Sequence, residues 1–219
     1  MEELQKKNLD LKSVFQNEYI LYLLRNGKEP VSVFSFCEQL EILEDSFYNY
    51  FNSFRSLEAS IWEMFFEQTL DAISQDEEFE QYSAQEKILS FFYTILEVFK
   101  QNRSFVVLKL KNISRKNFRP KTLESFRKRF NLWVKEVINQ GIKTEEIATR
   151  PLVVEKYNEV LWGQFLYIVR VWINDESSDF QISDAIVEKT SALLFELMKK
   201  GPVDLLIDFL KFAYQNKAY

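Results

Sequence analysis

Breakers are scarce in this chain: four glycines and four prolines are spread over 219 residues. A fold of many short strands needs turn residues far more often, so the scarcity favours helices. The few breakers also fall between segments whose apolar residues recur at spacings of three and four, the period of a helix packed on one side. The chain therefore reads as all-α, with about nine or ten helices by that period.

Gly27 and Pro30 close a first helix over 3–26, whose stripe is Leu11, Phe15, Tyr19, Tyr22 and Leu23. Two short helices are expected at 32–39 and 43–49. Asn52 and Ser53 supply the cap of a long helix over 54–75. Asp76-Glu77-Glu78 ends it, and Ser83 with Glu86 reads as a capping box that opens a helix to 101. Ile88, Leu89, Phe91, Phe92, Ile95, Leu96 and Phe99 surround that helix with apolar side chains, the pattern of a buried element. Residues 104–111 have strand propensity but no partner strand, so a short helix is expected. Pro120 starts a helix to 140 with Gly141 at its end. Pro151 precedes one over 152–174, and Ser183 caps one over 183–200. Gly201-Pro202 is a stop before a last helix over 203–216.

Composition removes several kinds of chemistry. Hydrophobic residues make up 47% of the chain, a globular share rather than a disordered one. There is no His and only one Cys, Cys37. A nucleophile activated by His is ruled out within one chain, and zinc or copper sites are not expected. The glycines at 27, 141, 163 and 201 stand apart, so there is no glycine-rich phosphate loop. The carboxylates show no defined pairing and read as solvated helix faces. Neither enzyme activity nor a cofactor is expected. A single Cys fits a reducing, cytoplasmic setting. No secretion signal is expected at the charged N-terminus, and no uncharged apolar run approaches the roughly 18 residues of a membrane span.

Residues 32–58 read Ser-Val-Phe-Ser-Phe-Cys-Glu-Gln-Leu-Glu-Ile-Leu-Glu-Asp-Ser-Phe-Tyr-Asn-Tyr-Phe-Asn-Ser-Phe-Arg-Ser-Leu-Glu. This segment resembles the helix-turn-helix of TetR/AcrR-type transcriptional regulators. Ser32 stands at that pattern's Thr, Phe36-Cys37 at its Ile-Ala, Ile42 at its Val and Ser46-Phe47-Tyr48 at its Thr-Leu-Tyr. Phe51 keeps the aromatic, Ser53 the cap and Leu57 the closing Leu. The resemblance implies a three-helix DNA-binding head over 1–58 and a helical effector-binding and dimerising domain over 59–219. It also implies DNA contacts from Ser32, Ser46, Tyr48, Asn49 and Arg55, the hydroxyls to phosphates and Asn49 to a base edge. Phe47 and Phe51 are expected in the head's small core.

The segment also departs from that pattern. The family's turn Gly is Glu41, its helix-starting Ser is Leu43, and its phosphate-binding Lys is Phe54, with Arg55 beside it. Glu44 and Asp45 begin the recognition helix. Residues 1–58 hold six basic and ten acidic side chains, a net of −4, which opposes phosphate binding.

The stretch from Trp172-Ile173-Asn174-Asp175 through Ile186-Val187-Glu188-Lys189 to Phe209 and Phe212 is similar to the C-terminal lobe of a TetR subgroup. That subgroup shares its shape with the mitochondrial lipid-binding protein of ubiquinone biosynthesis. Family lobes dimerise as a four-helix bundle, so Leu161, Phe165, Ile168, Trp172 and Leu194 are candidates for a homodimer seam, with Gly163 admitting a close neighbour. Phe91, Phe92, Phe99, Trp133 and Trp162 are candidates to line an apolar effector site. From Lys100 to Arg129 there are eleven basic residues and one acid, Glu124. A run of charge is usually a solvated face, and otherwise suits an anionic membrane surface, nucleic acid or an acidic partner.

Two functions are therefore in view. One is a dimeric TetR-like regulator, a repressor that binds operator DNA and answers an apolar or lipid-like molecule. The other is a protein of the same fold that carries an apolar ligand and has lost DNA binding.

Overall fold

The computed structural model describes residues 2–114, 116–150 and 154–216. They form ten helices and no strand. Helix α1 spans Glu2–Asn26, α2 Val33–Gln39, α3 Glu44–Tyr48, α4 Phe54–Ile73 and α5 Ala84–Gln101. Then come α6 Arg103–Leu110, α7 Glu124–Lys143, α8 Val154–Ile173, α9 Gln181–Met198 and α10 Pro202–Gln215. Single 3-10 turns stand before α5, α7 and α9. The expected helix over 104–111 is α6. The expected start at Pro151 lies outside the described residues.

The expected caps mostly hold. Ser53 Oγ accepts the amide of Ser56 at 3.2 Å. Glu86 accepts the Ser83 amide at 2.8 Å while Ser83 Oγ accepts the Glu86 amide at 3.2 Å, a reciprocal box. Glu146 adds a carboxylate that takes the amides of Ala84 and Gln85 at 2.7 and 2.9 Å, a favourable charge at a helix N-terminus. Ser183 differs from expectation. Helix α9 begins two residues earlier, and Ser183 is buried in its first turn. The cap comes from Asp175, whose Oδ2 accepts the amide and hydroxyl of Ser183 at 2.8 and 2.6 Å. Gly141 lies in the last turn of α7, two residues before its end, and Ile147 and Ala84 leave no room for a side chain there: a Cβ would lie 2.7 Å from Ile147 Cδ1.

The chain divides into two compact units and passes from one to the other within α4, α5 and α7. Unit 1 comprises residues 1–69 and 97–129, and unit 2 residues 70–96 and 130–219. The head expected over 1–58 falls wholly within unit 1.

In unit 1, Phe15 of α1 is the hub of an aromatic core, with ring centroids 5.4 Å from Phe47 and 6.3 Å from Phe51. Phe54 stacks on Tyr19 at 5.4 Å and meets Phe36 edge-on at 5.6 Å. Cys37 is buried beside this core. A second cluster joins Trp62, Phe65, Phe99 and Phe105, with centroids 5.5 to 6.2 Å apart. The buried Gln16 amide donates to Ser60 Oγ at 3.0 Å, tying α1 to α4.

Unit 2 is built round Phe130. It lies 5.4 Å from Phe91, 5.7 Å from Trp162 and 5.6 Å from Phe165. Several of its buried polar groups are paired, although Gln164 Oε1 and Asn131 Oδ1 have no partner. Gln164 of α8 donates to Thr190 and Ser191 of α9, both at 2.9 Å. Arg150 holds Asp204 through two bonds of 2.7 and 3.0 Å and donates to the carbonyls of Leu197 and Lys199. It thus closes the C-terminus of α9 and anchors the first turn of α10.

Candidate functional site

The head is assembled on its turn. Ser32 caps α2, its Oγ accepting the Ser35 amide at 3.0 Å. Phe36, Cys37, Phe47 and Phe51 fill the inside. Glu41 lies between α2 and α3 at φ +56°, in the left-handed region. That is the conformation a Gly adopts without strain, which explains the family's choice of Gly here.

Helix α3, which stands where the resemblance puts a recognition helix, is one turn long, Glu44–Tyr48. Its exposed polar groups are occupied by its own acids. The Tyr48 hydroxyl donates to Glu44 Oε1 at 3.2 Å, and the Ser46 hydroxyl to Asp45 Oδ1 at 3.4 Å. Partial desolvation and the bond to Glu44 raise the Tyr48 pKa above its ordinary value. Asn49 is exposed at the C-terminal end of this helix. Ser46, Tyr48 and Asn49 therefore share one short element, with Glu44 and Asp45 among them.

Phe54 stands where the family carries its phosphate-binding Lys, and its ring is spent on the head core. Arg55, the next residue, is exposed. It shares a cleft of about 420 Å³ with Glu29, Glu58, Lys121, Thr122, Glu124, Ser125 and Lys128. Sequence reasoning missed this grouping because Lys121 and Lys128 come from the far end of the basic stretch. Part of the stretch is locally neutralised: Lys109 pairs with Glu58 at 2.6 Å and Arg129 with Glu67 at 2.8 Å. A second groove in unit 1, about 540 Å³, has Leu23, Leu24, Val107 and Leu108 with Arg103 and Lys111 in its walls.

Of the five residues expected to line an effector site, four surround Phe130 and the fifth, Phe99, packs elsewhere. Phe91, Phe92, Trp133 and Trp162 belong to unit 2, where Phe91 stacks on Trp133 at 4.7 Å. Phe99 belongs to unit 1 and packs on Trp62.

The residues expected at a dimer seam are mostly covered within the chain itself. Leu161, Phe165 and Ile168 are 0% exposed and Trp172 1%, all packed against their own chain, and Leu194 is half-buried. No close helix sits over Gly163, where a Cβ would meet nothing within 4 Å. Exposed apolar residues lie elsewhere: Ile182, Leu193 and Leu197 on α9, and Leu205, Leu206, Phe209, Leu210 and Phe212 on α10.

Comparison with known proteins settles the family. The tetracyclin repressor-like C-terminal domain matches residues 87–213, more than half of the chain. The chain belongs to the TetR family. A search of curated proteins finds no match. A protein assigned to the TetR family of transcription regulators, from Shewanella sp. PV-4, superimposes with a TM-score of 0.58 at 16% identity, over 84% of this TetR-family chain and 95% of its own. A bacterial regulatory protein in the TetR family from Rhodococcus RHA1 gives 0.51 at 14% identity, over 87% and 98%. A protein of unknown function from Rhodococcus sp. RHA1 gives 0.57 at 13%, over 87% and 96%. These likenesses bear on the fold alone. The TetR assignment agrees with the all-α architecture. Among the described residues no helix is long and apolar enough to cross a membrane, and no group of three metal-ligating side chains occurs.

Proposed function

We propose that this TetR-family chain is a repressor that binds operator DNA as a dimer and releases it when an apolar or lipid-like molecule binds. In this reading residues 1–58 contact DNA, and residues 59–219 hold the effector and pair the two copies. The observation that carries it is the head: a capped α2, a left-handed turn at Glu41 and a buried aromatic core support a complete helix-turn-helix. The effector is apolar because the lobe offers rings and few polar groups in its interior. Effector binding would act as a shift between two arrangements of the paired heads.

The test is fluorescence anisotropy of the protein against genomic fragments, including its own upstream region, at low and moderate salt. Tight binding to one fragment that weakens steeply with salt is expected. Replacing Glu44 and Asp45 together with Lys should raise non-specific affinity at low salt by roughly tenfold or more, since each change removes an anion and adds a cation beside the phosphates. Unchanged affinity in that variant would argue against α3 facing DNA.

The second reading, a ligand carrier that has lost DNA binding, is favoured by one observation: Glu44 and Asp45 bond the only hydroxyls that α3 offers. A co-purified apolar molecule together with no DNA binding at any salt would select it.

A further inference from the structure

The basic stretch is left without a role by both the head and the lobe. Residues 100–123 carry eight basic side chains and no acid, in a chain whose net charge is −5. All of them belong to unit 1. The flanks are partly spent on the fold: Lys109 pairs with Glu58 at 2.6 Å, Lys128 with Glu124 at 3.2 Å and Arg129 with Glu67 at 2.8 Å. The middle is different. Lys111, Lys116 and Lys121, in the loop from α6 toward α7, are exposed, and none of the three is held in an ion pair among the described residues.

We infer that this loop, with the groove beside it between α1 and α6, docks on an anionic lipid bilayer. The inference goes beyond the regulator reading and does not depend on α3 meeting DNA.

What favours a bilayer is the apolar surface set among the cations. Phe118 is 63% exposed at a bend of the loop. The bend is built by local bonds: the Asn117 amide donates to the Ser114 carbonyl at 2.9 Å, and Asn117 Oδ1 accepts the Arg119 amide at 3.1 Å. An aromatic ring is thus carried on the same short segment as the lysines. Lys111 and Asn112, at the start of the loop, also line the groove of about 540 Å³. Ser104, Val107, Leu108 and Lys111 recur at i, i+3, i+4 and i+7 and share one face of α6. Leu24 of α1 and Leu108 of α6 are 40% and 42% exposed in the groove, whose lining includes Arg103 and Lys111 and no acid. Nucleic acid would account for the lysines and, by stacking, for Phe118, but it offers nothing to Leu24 and Leu108. A bilayer accounts for all of them. Apolar side chains leave water at the acyl boundary, and the cations beside them stay among the phosphates. A basic cluster and a small apolar contact are each weak anchors, so the association is reversible and needs both.

The test is co-sedimentation of the full chain at low salt with vesicles of phosphatidylcholine alone, and of phosphatidylcholine mixed in equal parts with phosphatidylglycerol. Binding to the mixed vesicles and not to phosphatidylcholine alone is expected. Lys111→Gln/Lys116→Gln/Lys121→Gln should lower the partition roughly a hundredfold, at about fivefold for each cation. Phe118→Ser leaves the charge untouched and should lower it roughly tenfold. A control triple, Lys135→Gln/Lys156→Gln/Lys189→Gln, removes the same charge from exposed positions in unit 2 and should keep the wild-type partition. Circular dichroism checks that each variant folds. Should the loop triple fail to fold, Lys116→Gln alone should cost about fivefold, and no loss would overturn the proposal. Absence of wild-type binding to the mixed vesicles would overturn it outright. Equal losses in both triples would do so by showing that only net charge matters, and an unchanged partition in Phe118→Ser by leaving no apolar contact. A loop triple that loses DNA affinity while keeping its vesicle affinity would give the face to nucleic acid instead. The regulator reading stands apart from all these outcomes, because its own test reads a single operator fragment and the charge of α3.

Discussion

Glu41 holds a backbone conformation that suits its neighbours better than itself. A non-glycine residue in the left-handed region costs roughly 1–2 kcal/mol, and glycine returns about 0.5–1 kcal/mol of that as chain entropy. The side chain is exposed, so nothing is lost when it is removed. Glu41→Gly should therefore raise stability by up to about 1 kcal/mol, read as a higher midpoint in thermal or urea unfolding. A lower midpoint would show that Glu41 is held by more than the turn. Phe54 illustrates the reverse case. Its identity looked like the loss of a phosphate contact, but its ring stacks on Tyr19 and faces Phe36 and Phe47, so it serves the core. Substituting Lys there would open the head rather than restore a contact.

At the scale of elements, the junction between α8 and α9 depends on one carboxylate. Asp175 accepts four hydrogen bonds, from the amides and hydroxyls of Ser177 and Ser183, at 2.6 to 2.9 Å. Burial alone would raise its pKa, but these bonds outweigh it and bring the carboxyl down to about 2. A depressed pKa gives stability that is fully present above the unfolded value near 4 and lost as pH falls toward 2. Asp175→Ala should destabilise the chain by roughly 2–3 kcal/mol at neutral pH and flatten its acid-unfolding profile below about pH 4. A melting point that does not move would dismiss the network as ornament. The helices were largely legible in the sequence, because apolar spacing, Gly27, Pro120 and the serine caps are local signals. Ser183 was misread as a cap because the acceptor that does the capping, Asp175, is eight residues away and its distance is set by the turn. The stripe Leu161, Phe165, Ile168, Trp172 was legible as apolar but not as internal. Periodicity reports that a face is covered and is silent on whether the cover is the same chain. The cleft was illegible for a similar reason: Arg55 and Lys121 meet only in three dimensions.

For the whole molecule, the exposed apolar side chains of α9 and α10 form the outstanding debt of the fold. Leu205 is 74% exposed and Phe209 and Phe212 are each 63% exposed, on a helix anchored at its first turn through Arg150 and Asp204. Apolar residues gathered on one helix in this way mark an association surface. If copies pair through it, Leu205→Glu with Phe209→Glu should yield a folded monomer by light scattering at micromolar concentration, where the parent is a dimer. A dimer that persists in the variant would place the interface elsewhere. The lone thiol offers another handle on the intact protein. Cys37 is walled in beside Phe36 inside the head. A modifying reagent can reach it only while that interior is transiently open, so its labelling rate keeps time for head breathing. Any ligand that clamps the head must slow that clock, and one that loosens the head must speed it, whether or not the ligand has been identified.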